Sequence, residues 1–271
     1  MGKNAIHILK SVTDTIGNSF IITTEDGKLI VMDGGFASET DYFISYLKQV
    51  AGCDKPHIDA WFLSHPHEDH VSVFFNMLDN HYGEFEVDRV FLNFPSREYL
   101  AEEDESAADS MEWFYRVLPK FADKMRIVTG GDVFEVGAAK FYMLYTHDYA
   151  IRSNRANNSS LIFRMELGGK SVMFTGDAGV EAGEKALRIY GGSGLLKCDM
   201  CQMAHHGQNG CDRPFYEAVS PDVCIWATPS WVWSNVNGTG NLRTLEVRAW
   251  MEELGVKQNY VSWNGTSVIE L

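Results

Sequence analysis

Apolar residues in this chain fall into short runs broken by Gly, Asn, Asp and Pro, which is strand spacing more than helix spacing. Residues 5–9, 19–24 and 29–32 read as three strands. Gly17-Asn18 joins the first two, and the strong turn signal Glu25-Asp26-Gly27-Lys28 joins the second pair. Helical spacing then takes over near Ser38, with Tyr42, Phe43, Tyr46 and Leu47 on one face, until Gly52 and Pro56 break it. Residues 58–63 form an apolar strand. After a turn containing Pro66, residues 71–78 read as the start of a buried helix. Residues 88–94 are a strand, and 99–124 one long helical segment opened by Glu102-Glu103-Asp104-Glu105. Acidic residues early in a helix suit its macrodipole, so that run reads as a solvated helix start, with a cation-binding patch as the alternative.

Strand patterns resume at 125–128, 133–136, 140–145, 160–165 and 171–175, the last ended by Gly176-Asp177. A helix is expected over 181–190, and a short buried strand over 200–204 that runs into His205-His206-Gly207. A strand over 223–227, a helix over 242–254 and a closing hairpin of 260–263 with 267–271 complete the pattern. Each half reads as strands followed by helices, which predicts an α/β protein of two sheets packed face to face with helices outside. No repeat, linker or low-complexity tract interrupts it, so residues 1–271 read as a single domain.

Candidate chemistry gathers at strand ends. His65-Pro66-His67-Glu68-Asp69-His70 places three imidazoles and two carboxylates in six positions, where strand gives way to helix. Such switch points are where open α/β architectures keep their sites. Asp33, Asp177 and His205-His206 also follow apolar strands, and His147 with the polar stretch 154–159 is a fifth candidate region. His65 and His67 are two apart, so in an extended or turn backbone they point the same way and can grip one ion. Asp69 and His70 would face a neighbouring ion. Two ions about 3.5–4 Å apart need a shared ligand, and Asp177 is the natural bridge.

Composition narrows the partners. With 23 basic against 37 acidic side chains, the formal charge of −14 argues against a long nucleic-acid footprint, though not against a substrate held by metal ions. No run approaches the roughly 20 apolar residues of a membrane span, and no long apolar region follows Lys3, so a soluble cytoplasmic protein is expected. Five scattered cysteines do not make a disulfide framework, and Cys198-Asp199-Met200-Cys201, inside an apolar stretch, reads as buried small side chains. Trp226 reads as core. Trp231 and Trp233 alternate near the loop 235–241 and could present indoles at a pocket mouth, or plug the gap beneath that loop.

The His65 to His70 stretch resembles the HxHxDH signature of the metallo-β-lactamase superfamily. Supporting matches are Leu29-Ile30-Val31-Met32-Asp33-Gly34-Gly35, Phe174-Thr175-Gly176-Asp177 and His205-His206-Gly207. The resemblance implies a four-layer αβ/βα sandwich, two mixed sheets with helices on the outer faces, and a two-metal site at one edge. Asn157-Asn158-Ser159-Ser160-Leu161, the Gly-Asp element and Ala204-His205-His206-Gly207 together look like the hydrolase domain of ComEC-type competence proteins, and are similar to phosphorylcholine esterases.

Carried over residue by residue, the resemblance implies His65 and His67 on one metal and Asp69 and His70 on the second. Asp177 bridges, and His206 completes the second metal. His205, His147 and Asp33 are then further metal or supporting groups, and Asn157, Asn158, Trp231 and Trp233 candidates for substrate contact. The ions implied are two divalent cations, zinc before manganese or iron. The expected reaction is hydrolysis of a small phosphoester or phosphodiester by activated water, with Asp69 orienting the nucleophile. β-lactam or thioester hydrolysis, or a non-catalytic metal-binding module, are the alternatives. Two departures stand out. The superfamily's further His on the loop before Gly-Asp is absent from Asn157-Asn158-Ser159-Ser160, and the competence-type Gly-His-Pro element is replaced within 235–241.

Overall fold

The computed structural model describes residues 2–235 and 242–271. The chain begins with β1 (Ala5–Ile8), β2 (Ser19–Thr23), β3 (Leu29–Asp33), α1 (Thr40–Ala51), β4 (His57–Ile58) and β5 (Ala60–Phe62). Next come α2 (Glu68–Asn80), β6 (Glu86–Val87), β7 (Val90–Leu92), α3 (Arg97–Ala101), α4 (Glu105–Val117) and β8 (Met125–Ile127). The second half opens with β9 (Val133–Val136), β10 (Ala139–Tyr145), β11 (Ile162–Leu167), β12 (Lys170–Phe174), α5 (Val180–Tyr190) and β13 (Met200–Gln202). It closes with α6 (Arg213–Val219), β14 (Val223–Trp226), α7 (Ser230–Ser234), α8 (Thr244–Glu253), β15 (Gln258–Val261) and β16 (Ser267–Glu270).

Among the described residues these strands form two seven-stranded sheets and a small β4–β6 pair. The strand orders are β16-β1-β2-β3-β5-β7-β8 and β15-β14-β13-β12-β11-β10-β9. Both sheets are mixed: β3, β5, β7 and β8 run parallel in the first, and β12 to β15 in the second. Phe20, Phe62 and Phe91 of one sheet meet Phe141, Phe163 and Phe174 of the other in a shared core. Outside the first sheet, Phe43 of α1 and Phe74 of α2 pack on Trp61, and Phe75 of α2 meets Phe114 of α4. Ala182 of α5, Phe215 of α6 and Trp250 of α8 cover the second. Helix, sheet, sheet, helix is the expected four-layer sandwich.

Three expectations change. The long helix over 99–124 is two helices with a break at 102–104, because Asp104 is extended and caps α4 through Ala107 N. The closing hairpin does not form. β15 pairs with β14 in the second sheet and β16 with β1 in the first, so the chain ends by crossing between sheets through the turn 262–265. Trp231 and Trp233 lie on the short helix α7, not on an extended segment, so their side chains diverge. The loop readings over 236–241 lie outside the described residues.

The cysteines are free, and Cys198 and Cys201 are buried. Burial pushes the Cys198 thiol up to about 11 and holds Cys201 well above the usual thiol range, which suits packing groups and not redox chemistry.

Candidate metal centre

Parallel pairing of β3 with β5 and of β12 with β13 brings four strand ends to one edge of the sandwich. Asp33 closes β3, His65 follows β5, Asp177 follows β12 and His206 follows β13. The turn after β5 delivers His67 at the N-cap of α2, while Asp69 and His70 sit in that helix's first turn and Glu68 faces solvent. Backbone that few residues adopt is concentrated here: Asp33, His205 and His206 all have positive φ. Gly176 also has φ +50°, and a Cβ there would lie 2.9 Å from that of Ser64 and 3.0 Å from that of Ser160. Only glycine lets β12 turn so close to both serines. Gly207 permits a similar approach to the Trp226 ring, which a Cβ would meet at 2.4 Å.

Two groups of donors result. Asp69, His70, Asp177 and His206 each offer an atom within 4.8 Å of the others, and so do His65, His67 and Asp177. Asp177 belongs to both. His70 Nε2 lies 3.1 Å from Asp177 Oδ1 and 3.6 Å from Asp69 Oδ2, and His206 Nε2 lies 2.9 Å from Asp69 Oδ2 and 3.3 Å from Asp177 Oδ2. His65 Nε2 and His67 Nδ1 are 2.9 Å apart.

The outward nitrogen of each imidazole is engaged elsewhere. His70 Nδ1 faces Asp33 Oδ2 at 2.7 Å, His206 Nδ1 faces Ala227 O at 2.7 Å, and His65 Nδ1 faces Ser64 Oγ at 3.1 Å. His67 Nε2 faces Asp104 Oδ2 at 2.8 Å. Asp33 also accepts from Ser64 N, Ser64 Oγ and Asn18 Nδ2, so it supports His70 from behind. Asp177 is braced by its own N–H donating to Ser160 Oγ at 2.9 Å.

These residues fit a pair of divalent ions. His70 Nε2 and Asp177 Oδ1 are buried and have no hydrogen-bond partner among the described residues, although they face each other. Such atoms are costly unless something else satisfies them. Imidazole nitrogens and carboxylate oxygens without thiolate suit zinc, manganese or iron.

Among the side chains alone, burial works against charge on His70 and His206, but the carboxylates facing them outweigh it. His70 is held well above the usual histidine range and His206 rises to about 10. Burial also opposes charge on Asp69 and Asp177, yet the imidazoles hold both below the usual carboxylate range. For His65, burial and the neighbouring His70 and His67 push the pKa well down.

A raised imidazole pKa stabilises the fold fully below the unfolded value of about 6.5, and that contribution is lost as pH rises through the folded value. Depressed carboxylates lose theirs only as pH falls below about 4. Chelator-treated protein is therefore expected to lose melting temperature between about pH 6.5 and 10. Because the imidazoles must shed protons to bind an ion, ion uptake should release protons and tighten over the same window. Calorimetry in two buffers of different ionisation enthalpy measures the release; ion binding with no proton release would contradict it.

The other candidates separate. His205 Nε2 lies 3.9 Å from Asp177 Oδ2, its Nδ1 has no partner among the described residues, and 21% of its side chain is exposed. His147 belongs to neither donor group; its Nδ1 faces Asn93 O at 3.1 Å and its ring packs on Tyr149. Asn158 is not available to a substrate. Its amide donates to Ser153 O and Glu181 Oε2 and its Oδ1 accepts from Ala182 N, so it ties the loop to α5. Asn157 is buried, with Nδ2 on Asn154 and Oδ1 unpartnered among the described residues. Trp233 fills the gap beside Trp226, with ring centres 5.2 Å apart, and lies under the Arg248 guanidinium. Trp231 is exposed. Sequence patterns did not single out Ser64, Ser160 or Asp104. Serines are too common to stand out, and Asp104 sits inside an acidic run that helix electrostatics already explains.

Several known proteins share this architecture. CmlA, a diiron β-hydroxylase from Streptomyces venezuelae, aligns at a TM-score of 0.61 and 12% identity over 99% of this chain and 54% of its own. YhfI, a metallo-β-lactamase fold protein from Bacillus subtilis, aligns at 0.56 and 11% identity, covering 98% of this chain and 99% of that one. Zn²⁺-bound PqqB from Methylobacterium extorquens aligns at 0.53 and 13% identity, over 98% of this chain and 100% of its own. At such identities the likeness concerns the fold alone. ComE operon protein 3 of Bacillus subtilis is 25% identical over 170 residues, 62% of this chain, and the chain spans only 20% of that protein. A profile of the metallo-beta-lactamase superfamily matches residues 12–149. By that match, with the sandwich fold and the strand-end donor cluster, the chain belongs to the metallo-β-lactamase superfamily.

Proposed function

We propose that this protein is a metal-dependent hydrolase of small phosphoesters or phosphodiesters. The observation that carries the reading is the convergence of two donor groups on Asp177. Two divalent ions held there would supply Lewis acidity and a water acidified to near neutrality. His65 and His67 would bind one ion, Asp69, His70 and His206 the other, and Asp177 both. Asp69 would also accept a hydrogen bond from the attacking water and orient it. His205, partly exposed beside Asp177, would donate to a substrate oxygen.

The choice of a phosphoester rests on the Asn-Asn-Ser-Ser, Gly-Asp and His-His-Gly pattern. A nuclease is the narrower version, and the formal charge of −14 weighs against it. Purified protein should take up Zn²⁺ or Mn²⁺ and hydrolyse bis-p-nitrophenyl phosphate or p-nitrophenyl phosphorylcholine in preference to nitrocefin. Turnover of nitrocefin alone would move the assignment to β-lactam hydrolysis. Metal uptake without turnover of any of the three would favour a non-catalytic module.

A further inference from the structure

The acidic run at 102–105 is tied to the centre, and one of its members touches a candidate ligand. Glu102 pairs with Arg155, Glu103 accepts from Asn154 N and Arg155 N, and Glu105 pairs with Arg97. Asp104 differs from these three in what each oxygen does. Its Oδ1 accepts from Ala107 N at 3.0 Å and caps α4, while its Oδ2 faces His67 Nε2 at 2.8 Å. A helix cap needs only one side-chain oxygen, and Ser would serve. The second oxygen is therefore spare to the helix.

On the other side, His67 occupies the N-cap of α2 yet makes no side-chain cap bond to it. Its ring is instead stretched between Asp104 and His65. An imidazole whose Nε2–H is donated to a carboxylate keeps its lone pair on Nδ1, the atom that faces His65 Nε2 at 2.9 Å. Of the two donor groups, the one with His67 has fewer members, and among the described residues His65 is backed only by the Ser64 hydroxyl. A carboxylate behind His67 raises the donor strength of the smaller group.

We infer that Asp104 is a positioning residue that fixes the tautomer and orientation of His67, and through it sets the ion affinity of the His65–His67 side of the centre. The inference rests on the metal-centre reading above.

The test uses Asp104→Ser, which retains a capping oxygen but is too short to reach His67, and Asp104→Asn, whose Oδ1 can keep the cap only by turning its NH2 toward His67 Nε2. Calorimetric titration of the chelator-treated full chain with Zn²⁺ should show one of the two ions weakened by about 10- to 100-fold in Asp104→Ser. The other should change little, and Asp104→Asn should weaken the same ion at least as much as Asp104→Ser, because an NH2 donating to His67 Nε2 favours the tautomer protonated at Nδ1. His67→Ala should lower the same ion's affinity, and adding Asp104→Ser to it should cause no further loss. A second readout needs no metal: ¹⁵N spectra of the chelator-treated protein should show His67 protonated at Nε2 in wild type and as a mixture of tautomers in Asp104→Ser.

Equal weakening of both ions with an equal drop in melting temperature would mean a cap and nothing more, and would overturn the inference. Unchanged Zn²⁺ binding or an unchanged His67 tautomer in Asp104→Ser would also overturn it. Absence of Zn²⁺ uptake by wild type would overturn the functional reading instead, and the tautomer spectra would then decide the Asp104–His67 link separately.

Discussion

Asp177→Asn is expected to leave a chain that binds neither ion firmly and hydrolyses nothing above its metal-free background. Asp177 is the one residue common to both donor groups, with Oδ1 toward His70 and both carboxylate oxygens within reach of imidazoles. Asn keeps the shape and the backbone bond to Ser160 Oγ. It replaces one oxygen by a donor and removes a charge that raises the pKa of two buried imidazoles in the metal-free protein. Removing one partner from such a buried charged set typically costs about 3–5 kcal/mol. The chelated variant should therefore melt well below chelated wild type, and metal analysis after dialysis should find it depleted. Retention of both ions with activity intact would show that Asp177 does not bridge.

Asp69→Ala is expected to lower kcat by about 10²- to 10⁴-fold, the range for losing a positioned general base. Its effect on binding should be one-sided. Asp69 belongs to the group with His70 and His206, so the ion on the His65–His67 side should persist. The loss should fall on kcat more than on KM, because a group that orients the attacking water acts in the transition state. The measurement is steady-state hydrolysis of whichever phosphoester turns over, at saturating Mn²⁺ or Zn²⁺. Undiminished hydrolysis would remove Asp69 from the chemistry.

The two variants separate two roles that the same cluster combines. His206 shows why they cannot be read from one mutation: its Nε2 lies 2.9 Å from Asp69 Oδ2 and 3.3 Å from Asp177 Oδ2, so each substitution alters the field at its neighbours. A double variant would not be additive. Metal content must accompany every rate.

Much of this was readable in the chain itself. The identity of the ligand types and their positions after apolar strands are local properties, visible as His65 to His70 after residues 58–63 and Asp177 after residues 171–175. Short apolar runs bounded by strong turn signals also predicted the two packed sheets. What neighbouring strands do at long range was not readable. The final two strands look like a hairpin by composition and belong to different sheets, because pairing depends on which edge is free and not on the turn between them. Asn158 has the residue type of a substrate contact but spends every polar atom of its side chain on internal bonds, and Trp233 fills a gap beside Trp226. Asp104 is the converse case: in sequence it is one acid among four at a helix start. Only the packing of α4 against the turn that carries His67 puts one of its oxygens on that ring. The sequence alone determined which groups could bind metal and on which strands they stand. The tertiary structure decided which of their nitrogens face the centre, since that depends on the partner each ring finds on its other side.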